Sequence, residues 1–254
     1  MEIIGHRGAR AVSPQNTLPS FEVALKEKVP MIELDVELSR DGRDVIFHDD
    51  EVDQITRGQA HGSINSFTFD ELRKLNVHDG FSDGNFYQIP TLGEVLDLVD
   101  KHKGEDGNRT KVNIELKGAN TAMVVADIVK RYLNAGWKPE DFVVSSFRHD
   151  ELEKFKKLVP EIKIAMFLNN DQWQELGTPE AAVERAKKLE AVAINPDKSF
   201  ASVELVKAAH SNGLEINVYT VNEPEDIKRM LEIGVDRIFT DDPGKAKNIL
   251  ASAT

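Results

Sequence analysis

The chain of 254 residues contains no cysteine. That absence excludes a disulfide framework, a thiolate zinc site, an iron–sulfur cluster and a cysteine nucleophile, and it fits most simply with a reducing cytosol. An excess of basic charge is also missing: 44 acidic side chains outnumber 32 basic ones, for a formal net charge of −12. Nucleic acid and anionic membrane surfaces both reward clustered Lys and Arg, so neither is an expected partner. No run approaches the roughly 18 apolar residues of a membrane span, and no stable membrane insertion is expected. The start, Met1-Glu2-Ile3-Ile4-Gly5-His6, lacks a charged leader followed by an apolar stretch, which predicts a cytoplasmic protein. There is no low-complexity tract, no interdomain linker and no repeat beyond a βα period.

What is present is alternation. Short runs rich in β-branched residues, at 2–5, 31–36, 112–115, 142–145, 162–167, 191–195, 215–219 and 237–240, read as strands. Amphipathic stretches at 18–27, 92–99, 121–135, 150–158, 179–189, 201–211, 224–232 and 243–251 read as helices. Pro224 and Pro243 stand near first turns, and Gly136, Gly213 and Gly234 stand where helices should stop. Eight βα units in about 250 residues predict a TIM (β/α)8 barrel formed as a single domain over 1–254. One segment breaks the rhythm. After the apolar Val45-Ile46-Phe47 the chain turns polar and glycine-dotted until Pro90-Thr91, too long for an ordinary βα loop, so a small insertion at about 49–90, after the second βα region, is expected near the barrel mouth.

In such a barrel the active site lies at the C-terminal ends of the strands, and reactive side chains collect there. The first strand ends in Gly5-His6-Arg7-Gly8, the second contains Glu33 and Asp35, the next apolar run ends in His48-Asp49, and the third barrel strand ends in Glu115-Leu116-Lys117. Residues two apart on a strand face the same way, so Glu33 with Asp35, and Glu115 with Lys117, each form a same-face pair. Three carboxylates converging on one ammonium repel unless a cation sits among them, and oxygen ligands select a hard divalent ion, Mg²⁺ or Ca²⁺. His6 and His48 fit an acid/base pair because imidazole titrates near neutrality. Arg7 presents a fork to a phosphoryl or carboxylate group, and Lys117 a point charge. Asn16-Thr17 is placed to cap the helix that starts at Leu18.

These pieces, with Ser13-Pro14-Gln15-Asn16-Thr17, Ile89-Pro90-Thr91-Leu92, Ser145-Ser146-Phe147, Tyr219-Thr220-Val221-Asn222 and Thr240-Asp241-Asp242-Pro243, make the chain resemble the glycerophosphodiester phosphodiesterase family nearly end to end. The resemblance implies a TIM barrel that hydrolyses small glycerophosphodiesters to sn-glycerol 3-phosphate and an alcohol. It implies that Glu33, Asp35 and Glu115 bind the divalent ion, that His6 acts as base and His48 as acid, and that Arg7 and Lys117 contact the phosphate. Phe147 and Tyr219 would line the pocket for the glycerol or alcohol moiety. The chain departs from the family at Gln15, usually Glu, and at Tyr219, usually Trp; both departures bear on substrate preference and touch neither ligands nor histidines. Two rival readings remain. A lipid-directed phosphodiesterase on the same barrel would favour a larger apolar entrance, whereas the insertion carries Asp79, Ser82, Asp83 and Asn85. A barrel that only binds phosphorylated ligands would not need all three carboxylates and both histidines. The sequence leaves the oligomeric state and the preferred head group open.

Overall fold

A computed structural model of the chain describes residues 1–253. Among these residues nine strands form one sheet: β1 (Glu2–Gly5), β2 (Met31–Leu38), β3 (Asp44–Ile46), β4 (Lys111–Leu116), β5 (Phe142–Ser146), β6 (Lys163–Leu168), β7 (Ala193–Pro196), β8 (Glu215–Val218) and β9 (Arg237–Thr240). Eight of them run parallel in the order β1-β2-β4-β5-β6-β7-β8-β9, and pairing of β9 with β1 closes the barrel. β3 is the ninth, an antiparallel hairpin partner of β2 with Val36 opposite Ile46. The expected (β/α)8 barrel is therefore the observed fold.

Period-two alternation on the strands sorts side chains between two compartments. On β2, Ile32, Leu34 and Val36 point outward and are fully buried against helices, while Met31, Glu33 and Asp35 face the barrel axis. Among the described residues ten α-helices follow the strands: α1 (Leu18–Lys26), α2 (Phe69–Leu72), α3 (Leu92–Lys101), α4 (Thr121–Asn134), α5 (His149–Leu158), α6 (Asn170–Leu176), α7 (Pro179–Lys188), α8 (Val203–Ser211), α9 (Pro224–Ile233) and α10 (Pro243–Ala253). α3 shows why they form. Thr91 and Glu94 close a capping box over its start, and Leu92, Val95, Leu96 and Val99 make one buried stripe at helical spacing. α2 and α6 lie outside the helices expected from periodicity. Both are short; α6 has no buried residue and owes its start to the Asn169–Gln172 capping box, so it carries no apolar stripe to read. Among the described residues no helix is long and apolar enough to cross a membrane.

The polar excursion lies within the second βα unit, between β3 and α3. It gathers a small apolar cluster of its own, in which Val45 and Phe47 at its root pack with Val52, Ile55, Ile64 and Leu72. Gln15 ties it to the barrel: its backbone N–H donates to Asp79 Oδ2 at 3.2 Å and its side-chain amide to Asp79 Oδ1 at 3.0 Å.

Gly8 sets the turn from β1 toward α1. Its φ is +87°, and a Cβ there would stand 2.5 Å from Ser20 Oγ, 2.6 Å from the Ser20 carbonyl carbon and 2.8 Å from the Phe21 nitrogen. Gly8→Ala is therefore expected to lower the unfolding free energy by more than about 1 kcal/mol, through backbone strain and the clash with α1. A shift of the urea midpoint to lower concentration checks this; an unchanged midpoint would mean that α1 moves away freely.

Candidate active site

The C-terminal ends of the strands surround a cavity of about 360 Å³, lined on one side by His6, Arg7, Glu33, His48, Glu115 and Lys117 and on the other by Phe147, Phe167, Tyr219 and Phe239. Eight of the nine side chains singled out in the sequence thus share one cavity, and the ninth, Asp35, is in contact with two of them. β-register brings the acids together: β2 and β4 pair so that Asp35 stands beside Glu115, and Glu33 lies one step below Asp35 on the same face. One carboxylate oxygen from each of Glu33, Asp35 and Glu115 falls within 4.8 Å of the others. All three residues are buried, at 1%, 1% and 5% exposure.

Two cations and a loop hold this cluster. Arg7 adopts a left-handed backbone, φ 52°, that turns its N–H to Glu33 Oε2 at 2.9 Å and leaves its Nε 3.4 Å from Asp35 Oδ2. Lys117 Nζ lies 3.2 Å from Glu115 Oε1 and 3.6 Å from Asp35 Oδ1. Thr17 caps α1 as expected, but Asn16 turns to the site instead, donating to Asp35 Oδ2 at 2.8 Å. Gln15 accepts from the Arg7 guanidinium while donating to Asp79. A glutamate there would accept from Arg7 but could not donate to Asp79 when ionised, so the departure from the family pattern couples Arg7 to the excursion.

Burial sets the protonation of these groups. It pushes Glu33 well above the usual carboxylate range, with Asp35 and Glu115 adding to the rise, and it raises Glu115 to about 7 against the pull of Lys117. Asp35 is also opposed by burial, yet Lys117 and Arg7 together hold it below its ordinary value. Burial likewise opposes the charge on Lys117, and Asp35 and Glu115 outweigh it to raise that pKa. Two carboxyls thus resist ionising beside a third that stays charged, and Asp35 Oδ1 has no hydrogen-bond partner. An all-oxygen set of three buried carboxyls, one oxygen of which accepts no hydrogen bond, fits a divalent ion, whose charge would favour the ionised form of all three.

The histidines approach from different elements. His6 follows β1, and its Nδ1 lies 2.6 Å from Asp241 Oδ1 at the end of β9. Asn222 fixes that aspartate twice, donating to Oδ2 at 2.7 Å and accepting from the Asp241 backbone N–H at 2.9 Å. His48 stands at the root of the excursion, with Nδ1 2.8 Å from Asp49 Oδ1. Sequence reading missed the orienting role of Asp241. The residue was visible in Thr240-Asp241-Asp242-Pro243, but its tie to His6 depends on the barrel closing β9 onto β1.

The aromatic wall is internally braced. Phe147 stacks on Phe167 at 4.7 Å between centroids, and Tyr219 meets both edge-on at 5.6 and 5.2 Å. Tyr219 donates its hydroxyl to the Leu168 carbonyl at 2.9 Å, which leaves its ring to face the cavity. Asp197 and Lys198, after β7, complete the rim and were not singled out in the sequence.

Residues 6–245 match the glycerophosphoryl diester phosphodiesterase family. The chain is 33% identical to a glycerophosphodiester phosphodiesterase of Caldanaerobacter subterraneus subsp. tengcongensis, over 98% of this chain and 97% of that protein. Among solved structures, an Oleispira antarctica phosphodiesterase in complex with the product sn-glycerol-3-phosphate superposes with a TM-score of 0.83 at 27% identity, covering 99% of this chain and 97% of that one. A Thermotoga maritima glycerophosphodiester phosphodiesterase gives 0.77 at 28% identity, covering 98% of each chain.

Burial lowers the pKa of His6 from 6.5 to about 4, against the opposing hydrogen bond to Asp241. Between those values the unfolded chain takes up a proton that the native protein refuses. The stability associated with neutral His6 is therefore complete above pH 6.5 and is lost as pH falls toward 4, by up to about 1.4 kcal/mol per pH unit. Urea unfolding of the wild type and His6→Gln should differ by a constant above pH 7, with the variant gaining relative to the wild type as pH drops through that window. A pH-independent difference would show that His6 binds protons with ordinary affinity.

Proposed function

The chain belongs to the glycerophosphoryl diester phosphodiesterase family, and from that premise we propose that it hydrolyses small glycerophosphodiesters to sn-glycerol 3-phosphate and an alcohol by metal-dependent acid/base catalysis. The observation that carries the reading is the convergence of Glu33, Asp35 and Glu115 with Arg7, Lys117 and two histidines around one cavity. The product bound to the Oleispira antarctica relative supports the choice of sn-glycerol 3-phosphate.

In this reading Glu33, Asp35 and Glu115 hold a divalent ion, Mg²⁺ or Ca²⁺, which supplies Lewis-acid neutralisation of the phosphoryl oxygens. Arg7 and Lys117 neutralise further charge on the same group from fixed positions, so little reorganisation is needed as negative charge builds. His6 is the base. It is neutral at pH 7, and with Nδ1–H donated to Asp241 its Nε2 lone pair is free to take the proton from the attacking hydroxyl, of water or of the glycerol itself; in the second case a water then opens the cyclic phosphate to sn-glycerol 3-phosphate. Asp241 then offsets the positive charge that forms on the imidazole. His48, oriented by Asp49, gives a proton to the departing alcohol oxygen. Phe147 and the Tyr219 ring pack against the carbon skeleton of the glycerol or head group. The polar residues of the excursion and a cavity of about 360 Å³ favour a small water-soluble diester over an intact lipid.

His6→Ala and His48→Ala should each lower kcat by about 10²- to 10⁴-fold, measured as release of choline and sn-glycerol 3-phosphate from glycerophosphocholine. Asp241→Asn should lower it less than His6→Ala, because the general base survives with a disturbed tautomer. Full turnover in either alanine variant would remove that histidine from the mechanism. Treatment with EDTA should abolish product release, and Mg²⁺ or Ca²⁺ should restore it; turnover indifferent to EDTA would sink the role given to the three carboxylates.

A further inference from the structure

Phe239 floors the catalytic cavity and, with Ile4 and Met31, roofs a second chamber below it, a polar cavity of about 120 Å³ at the N-terminal ends of the strands. Its two walls differ. On one, Arg237 bonds Glu2 at 2.8 Å and Glu215, and reaches Asn217 Oδ1 at 3.5 Å, while Asn217 donates to Asn195 Oδ1 at 3.1 Å. That wall carries a polar network of its own. On the other, Asn113 of β4 is 2% exposed, and neither its Nδ2 nor its Oδ1 has a hydrogen-bond partner. A buried amide with no protein partner at either end costs about 1–3 kcal/mol for each group left unmet, so Asn113 is available to bond whatever enters the chamber.

The neighbours of Asn113 indicate what enters. Lys111 lies two residues before it on the same face of β4, and Lys163 sits in its row, since Val143 of β5 is the strand partner of both Asn113 and Lys163. Both lysines line the chamber, and among the described residues neither is in an ion pair. Arg237 is already paired with Glu2 and Glu215, so the positive charge left uncommitted in the chamber is that of Lys111 and Lys163, with Glu140 also in the lining. An oxyanion answers the two ammonium groups and the amide N–H₂. An anion with its own O–H can also donate to the amide oxygen, so that one ligand answers both ends of Asn113, whereas a fully ionised anion answers only the N–H₂. At about 30 Å³ per water in the liquid, the chamber has room for a ligand of a few heavy atoms.

We propose that this chamber is a binding site for a small hydroxyl-bearing oxyanion of the size of hydrogen phosphate, held by Asn113, Lys111 and Lys163 and separated from the catalytic cavity by Phe239. The site would let free phosphate bind the enzyme without entering the reaction site, fastening β4, β5 and β6 together at the base of the barrel.

The test is calorimetric titration of the full, metal-loaded enzyme with inorganic phosphate at constant ionic strength, with sulfate as control, because sulfate offers the same acceptors at neutral pH but no O–H. The wild type should bind one more equivalent of phosphate than the Lys111→Ala/Lys163→Ala variant, and that additional equivalent should be absent with sulfate. Turnover of glycerophosphocholine should stay within twofold of wild type in the variant, since both lysines are remote from the catalytic cavity. Asn113→Leu should lose the same equivalent; if that buried change prevents folding, the exposed lysine pair still decides. Equal phosphate stoichiometry in wild type and variant overturns the site, and an equal additional equivalent of sulfate overturns its selectivity for a hydroxyl-bearing anion.

Discussion

Three carboxyl groups within 4.8 Å of one another, buried inside a barrel, form the constraint around which the rest of the upper barrel is arranged. Left alone they repel, and water cannot screen them. Each surrounding feature reduces that repulsion. Lys117 comes from the same strand as Glu115, Arg7 is turned inward by a left-handed backbone, and Asn16 adds a neutral donor to Asp35. The loop between β1 and α1 is thereby committed to the centre of the molecule, which is why Gly8 must pass so close to α1. In the proposed reading a divalent ion would complete the arrangement that the protein's own cations begin.

Much of this was legible in the sequence because strand geometry is simple. Two acids separated by one apolar residue must share a face, and Leu34 must take the other, so Glu33 and Asp35 were readable as a pair from spacing alone. Likewise Glu115 and Lys117 were readable as neighbours. What spacing cannot supply is register between strands. That Asp35 lies beside Glu115, or that Asp241 reaches His6 from the opposite end of the chain, follows only from how β2 meets β4 and how β9 closes on β1. Asn16 was misplaced for a related reason: Asn and Thr both cap helices, and which of them turns away is decided by the acid waiting at the site. The helix α6 was invisible because a short polar helix has no buried stripe to signal it.

The interior of the barrel is divided by aromatic and aliphatic bulk. Ile4, Met31, Phe167 and Phe239 form a thin apolar partition, with the carboxylate cluster above and the asparagine and arginine network below. A low-dielectric partition does not screen charge, so what limits the reach of Arg237 toward Lys117 is its local pairing with Glu2 and Glu215 on the far side.

The position of His48 carries a different consequence. It stands where the chain leaves the barrel for the excursion, whose small apolar cluster is separate from the main core. Local opening of that segment while the barrel stayed folded would therefore disable a proposed catalytic group. Working lifetime and melting temperature are in that case two distinct properties of the molecule, the first governed by a few side chains such as Val52, Ile55 and Leu72, the second by the barrel. Evolution can then retune how long the enzyme remains competent without rebuilding the scaffold that carries it.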